Sequence, residues 1–182
     1  EADSERLYHM EHLQTAMEDL RSLANMAGAN NQSANSILRK RHFVVTGLPG
    51  TGKTTTALRL AKELAALKLV PSGDAIVESA SSLQGRFVGE TPQVVLRALR
   101  RAQGGLLVID DAHVLCAARR RFGHGGDYAE QVVDALVSHM ARPPLQDSVV
   151  VAMCCPEDEV DELFSAFPAL AQHFDKVRIR CR

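Results

Sequence analysis

Apolar positions along the chain switch between two periods. Leu7, Met10, Leu13, Met17, Leu20 and Ala24 recur at the spacing of one helix face, which predicts an amphipathic helix over residues 4–27. The polar, small-residue stretch Gly28–Ser36 then reads as a helix stop and linker. From residue 41 short apolar runs alternate with helical stretches. Strands are predicted at 42–46, 74–78, 106–109, 149–153 and 176–181. Helices are predicted at 54–67, with Leu58, Ala61, Leu64 and Ala65 on one face, at 91–102, at 127–140 and at 157–165. Thr91-Pro92 reads as a helix start with threonine as cap, Gly104-Gly105 as its end, and Pro143-Pro144 as a break.

Strands and helices in alternation require parallel pairing through crossovers, with helices on both faces of the sheet. The predicted fold is α/β: a three-layer sandwich around a parallel five-stranded sheet. It divides into an N-terminal helix and linker, residues 1–36, and a main unit, residues 37–182. The N-terminal helix is expected to dock on the edge of its own sheet or on a neighbouring subunit.

The strongest chemical signal lies between the first predicted strand and the helix after it. Gly47-Leu48-Pro49-Gly50-Thr51-Gly52-Lys53-Thr54 satisfies GxxxxGK[ST] in full, in the strand–loop–helix setting that the motif needs. The glycines permit backbone angles that a β-carbon forbids. The loop's N–H groups can then converge on phosphate oxygens, helped by the positive end of the following helix. Lys53 supplies a point charge for the β and γ phosphates and Thr54 a hydroxyl for Mg²⁺. Thr55 stands within reach of the α-phosphate. The expected ligands are therefore ATP and Mg²⁺.

A second element, Leu106-Leu-Val-Ile-Asp110-Asp111, is a buried strand ending in acids, the Walker B form. Asp110 is expected to orient Mg²⁺; the alternative is an acid that only caps the next helix. Asp111 follows where ATPases usually carry glutamate, to polarise the attacking water. Being one methylene shorter, it either works slowly or only holds water, since misplacement by about 1 Å can cost on the order of 100-fold in rate. Candidate catalytic residues are Lys53, Asp110 and Asp111, with Thr54 and Asp110 as the metal pair.

The chain of 182 residues is 46% apolar, enough for one such domain with a core. Its formal charge of −1 gives no nucleic-acid signature. Arginine clusters at 39–41, 97–101 and 119–121 read as solvated surface or as a subunit interface or pore rim. Cys116, Cys154, Cys155 and Cys181 form no CxxC pair. They read as buried thiols of a reducing compartment, the cytoplasm or an organelle matrix. His9 and His12 lack a second ligand pair for zinc, and no apolar run reaches membrane-spanning length.

With these motifs the chain resembles AAA+ ATPases, and among them the CbbX/CfxQ family, which includes red-type Rubisco activase, the sporulation protein SpoVK and the ATPase of mycobacterial type VII secretion. Leu83-Gln-Gly-Arg-Phe-Val-Gly-Glu-Thr91 resembles the family's first pore loop. The resemblance implies that Phe87, Val88 and Gly89 face the centre of a ring and grip a peptide; the alternative is that Phe87 packs into the core. Gly104 to His113 is similar to GGVLFIDEAY, Asp127 to Leu136 to DFGREAIDTL, and Leu163 to Phe174 to FLxSNPGLRSRF. Protein partners in a homo- or hetero-oligomeric ring follow from the resemblance, as does a large AAA+ subdomain whose small helical lid is absent or lies beyond residue 182.

The departures are specific. Ala171 and His173 occupy the places of two family arginines, one of which acts on a neighbour's nucleotide. A neutral imidazole does not replace a guanidinium. Cys154 and Cys155 stand where a polar sensor is expected. Two readings therefore stay open: an active protein-remodelling ATPase, or a degenerate subunit that binds nucleotide structurally and hydrolyses little. A small-molecule P-loop kinase is disfavoured by the pore-loop-like segment.

Overall fold

The computed structural model describes residues 13–22, 25, 42–117, 128–142, 148–174 and 178–181. Five strands, β1 (Phe43–Gly47), β2 (Ala75–Ser79), β3 (Leu106–Asp110), β4 (Val150–Cys155) and β5 (Arg178–Cys181), form one sheet in the order β2-β3-β4-β1-β5. All four pairings are parallel, with Val45 opposite Cys154 and Leu106 opposite Val150. β1 lies between β4 and β5, so the chain crosses from the middle of the sheet to its β2 edge and works back. At such a reversal the loops leaving the strands' carboxyl ends diverge and open a crevice.

Strand side chains alternate between two cores, as the two-residue period requires. Val44, Leu107, Ile109, Val151, Met153 and Cys155 point to one face. There they meet α3 (Thr91–Arg101), α4 (Tyr128–Met140), α5 (Val160–Ala166) and α6 (Pro168–Phe174). Phe43, Val45, Val108, Ala152 and Cys154 point to the other, against α2 (Lys53–Ala66) and α1 (residues 13–22). The adjacent cysteines Cys154 and Cys155 therefore face opposite layers. All four cysteines are buried thiols that form no disulfide.

Several local expectations need correcting. Leu58 is 39% exposed, and Thr56, Ala57, Leu60, Ala61 and Leu64 form the buried face of α2. That helix ends in a Schellman motif: Lys68 is left-handed, its N–H reaches Ala65 O, and Leu69 N–H reaches Leu64 O. Thr91 is the first residue of α3 rather than its cap, and Glu90 holds the cap position. Thr91's hydroxyl is engaged instead by the N–H of Gly85. β4 extends through Cys155, past the predicted end at residue 153. The helix predicted at 157–165 opens as a tight 3-10 turn, Glu157–Glu159, before α5, and α6 was not predicted at all.

The amphipathic N-terminal helix packs into the core on the α2 side of the sheet, which includes Ile179 and Cys181 of the edge strand β5. Leu13, Ala16, Met17 and Leu20 join the core built by α2 and the strands. The remainder of predicted helix 4–27 apart from residue 25, the linker 28–36, His9, His12, the arginine clusters 39–41 and 119–121, Asp127 and Pro143-Pro144 lie outside the described residues. The third cluster is exposed on α3, where Arg101 pairs with Glu78 at 2.9 Å and Arg97 with Glu90 at 3.9 Å. Among the described residues no helix is long and apolar enough to cross a membrane.

Candidate functional site

The loop from Leu48 to Gly52 rises from the carboxyl end of β1 and turns directly into α2. Gly50 (φ 82°) and Gly52 (φ 79°) are both left-handed, and Gly52 is the cap of α2, with no side-chain hydrogen bond to the helix end. A β-carbon at Gly52 would strain this turn, which leaves the first N–H groups of α2 directed at the cleft without a capping side chain. Thr51 closes the loop by donating from Oγ1 to Leu48 O at 2.8 Å.

Lys53 folds back over the loop, and its Nζ donates to Gly47 O and Leu48 O, each at 3.0 Å. Thr54 Oγ1 donates to Asp110 Oδ2 at 2.6 Å. The first helical turn after β1 is thereby joined to the end of β3. β4, which separates β1 from β3, ends in small buried thiols and leaves the space between the two loops open. The cleft so formed has a volume of about 590 Å³. Its walls include Pro49, Gly50, Gly52, Lys53, Thr54 and Thr55 on one side and Asp110, Asp111 and His113 on another. The structure thus brings Pro49, Gly50, Gly52, Lys53, Thr54, Thr55 and both acids to one cleft; of the other predicted P-loop residues, Gly47 ends β1 beneath it, Thr51 lines a separate hollow with Arg59, and Leu48 is exposed on the loop beside it.

Asp110 does not simply cap a following helix. Its Oδ1 accepts the N–H of Asp111 at 3.0 Å while Oδ2 faces Thr54. Asp111 has φ 53°, a left-handed conformation that aspartate tolerates better than most residues. The turn is held to β4 by the N–H of Ala112, which donates to Cys154 O at 3.0 Å.

Cys154 and Cys155 are not reactive groups. Burial, reinforced by the charge of Asp110, raises the Cys154 thiol far above its ordinary range. Burial, followed by the nearby Glu159, pushes Cys155 up to about 12. Both remain neutral thiols at physiological pH and provide small, apolar ends to the central strand.

Phe87 is 77% exposed and Val88 fully so. Their loop is bonded to the side chain and backbone of one residue: Glu90 Oε2 accepts the N–H groups of Arg86 (2.8 Å) and Phe87 (3.2 Å), and Glu90 N–H returns to Phe87 O at 3.1 Å. Phe87 does not enter the core. Glu90 was missed as a site residue, although an acid directly before a helix start is a visible signal for backbone N–H capture. His173 lies far from any role as a charged group: it is half-buried in α6, its ring 6.3 Å from that of His42, and burial lowers its pKa. Ala171 packs partly buried against the core.

The AAA family, described as ATPases associated with various cellular activities, matches residues 43–178. This chain belongs to the AAA+ ATPases. Its type is CbbX/CfxQ. It is 32% identical over 130 residues to a chloroplastic cbbX homologue of Guillardia theta, covering 71% of this chain and 33% of that protein. It is 33% identical over 130 residues to a chloroplastic ribulose bisphosphate carboxylase/oxygenase activase of Cyanidioschyzon merolae (71% and 40%). To protein CfxQ of Xanthobacter flavus it is 32% identical over 138 residues (74% and 42%). The chain thus spans between a third and under half the length of these relatives. Members of the family are P-loop hydrolases that generally bind ATP with Mg²⁺ and typically oligomerise.

Proposed function

We propose that this chain is the nucleotide-binding large subdomain, residues 37–182, of a protein-remodelling ATPase. In this reading it binds ATP through Gly47 to Thr55. The observation that carries the reading is the convergence of Lys53, Thr54 and Asp110 on one cleft at the carboxyl end of a parallel sheet. The donor set fits the ligand. Uncapped helix N–H groups and an ammonium group suit phosphate oxygens, and a hydroxyl beside a carboxylate suits a hard cation that prefers oxygen ligands. Thr54 and Asp110 would hold Mg²⁺, which neutralises charge on the phosphates as the terminal phosphoryl group leaves.

The residues of the chain perform the remaining tasks. Lys53 exchanges its two loop carbonyls for phosphate oxygens. The left-handed turn at Gly50 and Gly52 lets the backbone approach the phosphates closely. Asp111 faces the end of the triphosphate. Phe87 and Val88, held outward by Glu90, offer apolar, sequence-tolerant contact for a polypeptide in the centre of a ring.

A degenerate, structural role is favoured by one observation. His173, at the place of a family arginine, is half-buried with its ring tilted 57° to that of His42, and burial lowers its pKa, so it brings no permanent charge to a neighbour's phosphates. Steady-state ATPase assays on the chain, alone and with candidate partner subunits, separate the two. Robust turnover abolished by Lys53→Ala supports the motor. Background turnover that rises with Asp111→Glu supports the structural subunit.

A further inference from the structure

The nucleotide cleft has a third wall. Pro156 and Glu159, from the turn after β4, line it as well, together with Asp111 and His113. The sequence motifs point to neither residue. Glu159 occupies the cap position of α5 but makes no side-chain hydrogen bond to that helix. Its backbone is fixed on both sides: its own N–H donates to Pro156 O at 3.1 Å, and Val160, next in the chain, is buried in the core. Ala112 N–H to Cys154 O ties the Asp110–Asp111 turn to the same strand end. The half-buried Glu159 side chain is therefore held against a frame that also positions Asp110. Its charge reaches the end of β4, where it is the largest influence on Cys155 after burial.

Asp111 has a short side chain on a left-handed backbone, whereas Glu159 has the longer reach and an ordinary backbone conformation. We propose that Glu159 is a second acid of the hydrolysis site, which orients the attacking water in place of the longer residue missing at 111. The proposal rests on the nucleotide-binding reading above. In the step it serves, the water oxygen bonds to the γ-phosphorus as the bond from that phosphorus to the β–γ bridging oxygen breaks. ADP leaves with the electron pair. The water's proton passes to the Glu159 carboxylate and from there to the phosphate product.

Two fluoride complexes separate this role from a structural one. ADP with beryllium fluoride mimics the ground state, and ADP with aluminium fluoride mimics the phosphoryl group in flight with its in-line water. Binding of both is measured for the wild-type chain, Glu159→Gln, Asp111→Asn, the double variant, and Asp158→Asn, an exposed neighbour outside the cleft. Glu159→Gln should weaken the aluminium fluoride complex about tenfold and leave the beryllium fluoride complex within about twofold, because the interaction belongs to the transition state. Asp111→Asn should cost less and Asp158→Asn nothing. Where turnover is measurable, kcat should fall about 100-fold in Glu159→Gln at unchanged KM. Equal aluminium fluoride binding by wild type and Glu159→Gln overturns the proposal. So does an equal loss of both complexes accompanied by a lower melting temperature, which marks a structural role. A wild-type chain that binds neither complex refutes the nucleotide reading itself, and this proposal with it.

Discussion

Thr54 Oγ1 donates a 2.6 Å hydrogen bond to Asp110 Oδ2, joining residues 56 positions apart across the mouth of the sheet. The bond unites the helix after β1 with the end of β3, and both groups are oxygen donors of the kind a hard cation takes. Thr54→Ala should therefore lower nucleotide affinity in the presence of Mg²⁺ by about tenfold, while affinity in EDTA stays nearly unchanged. Its stability cost should be about 1.5–3 kcal/mol, the usual net worth of a bond to a charged acceptor. Titration with a fluorescent ATP analogue, with and without Mg²⁺, checks this.

The loop bearing Phe87 and Val88 makes a contrast between exposed and supporting residues. Phe87→Ala should change stability by less than about 0.5 kcal/mol, because the ring touches little of its own fold. Glu90→Ala should cost about 0.5–1.5 kcal/mol, since it removes two exposed N–H bonds to the carboxylate and leaves those N–H groups to water. Urea unfolding of both variants tests the difference. Equal effects would mean that Phe87 is packed.

Much of the fold was legible because its signals are local. The GxxxxGKT run, the apolar strand ending in Asp110 and the β–α alternation each announce themselves within about ten residues. The exposure of Phe87 agrees with the resemblance to a pore loop rather than with core packing, the two readings that the sequence left open. Glu159 was not legible, because it enters the cleft only through the sheet order that sets β4 between β1 and β3. Leu58 was misassigned because it stands at the rim of the apolar stripe, three residues before buried Ala61, and periodicity alone does not set where the buried face ends. Helix α6 was missed because Pro168, its first residue, reads as a breaker unless the preceding turn is known. The docking of the N-terminal helix needed the tertiary structure, since an amphipathic stripe does not name its partner.

Leu20 tests that docking. It is fully buried among α2 and the strands. Leu20→Ala should destabilise the chain by about 2–5 kcal/mol, as a large-to-small change in a packed core does. A change below about 0.5 kcal/mol would show that the helix is not held against the α2 side of the sheet in solution.

His42 sets the acid limit of stability. It is 2% exposed at the entry to β1, and its Nδ1 accepts the N–H of Val151 at 3.0 Å. Burial, reinforced by His173, lowers its pKa from 6.5 to about 3. The folded state therefore binds fewer protons than the unfolded chain. The stabilisation is fully present above pH 6.5 and is lost as pH falls from there towards 3, at up to about 1.4 kcal/mol per pH unit. His42→Asn, which keeps an acceptor but does not titrate, should flatten the dependence between pH 6.5 and 4.5, measured by urea unfolding at each pH. An unchanged slope would assign the acid sensitivity elsewhere.

The measurement that bears most directly on the account is calorimetric titration of the purified chain with a slowly hydrolysed ATP analogue and Mg²⁺, beside Lys53→Ala. Saturable binding at one site per chain, largely lost in the variant while its fold persists by circular dichroism, is the predicted result. No binding by the wild-type chain, or equal binding by Lys53→Ala, would contradict it.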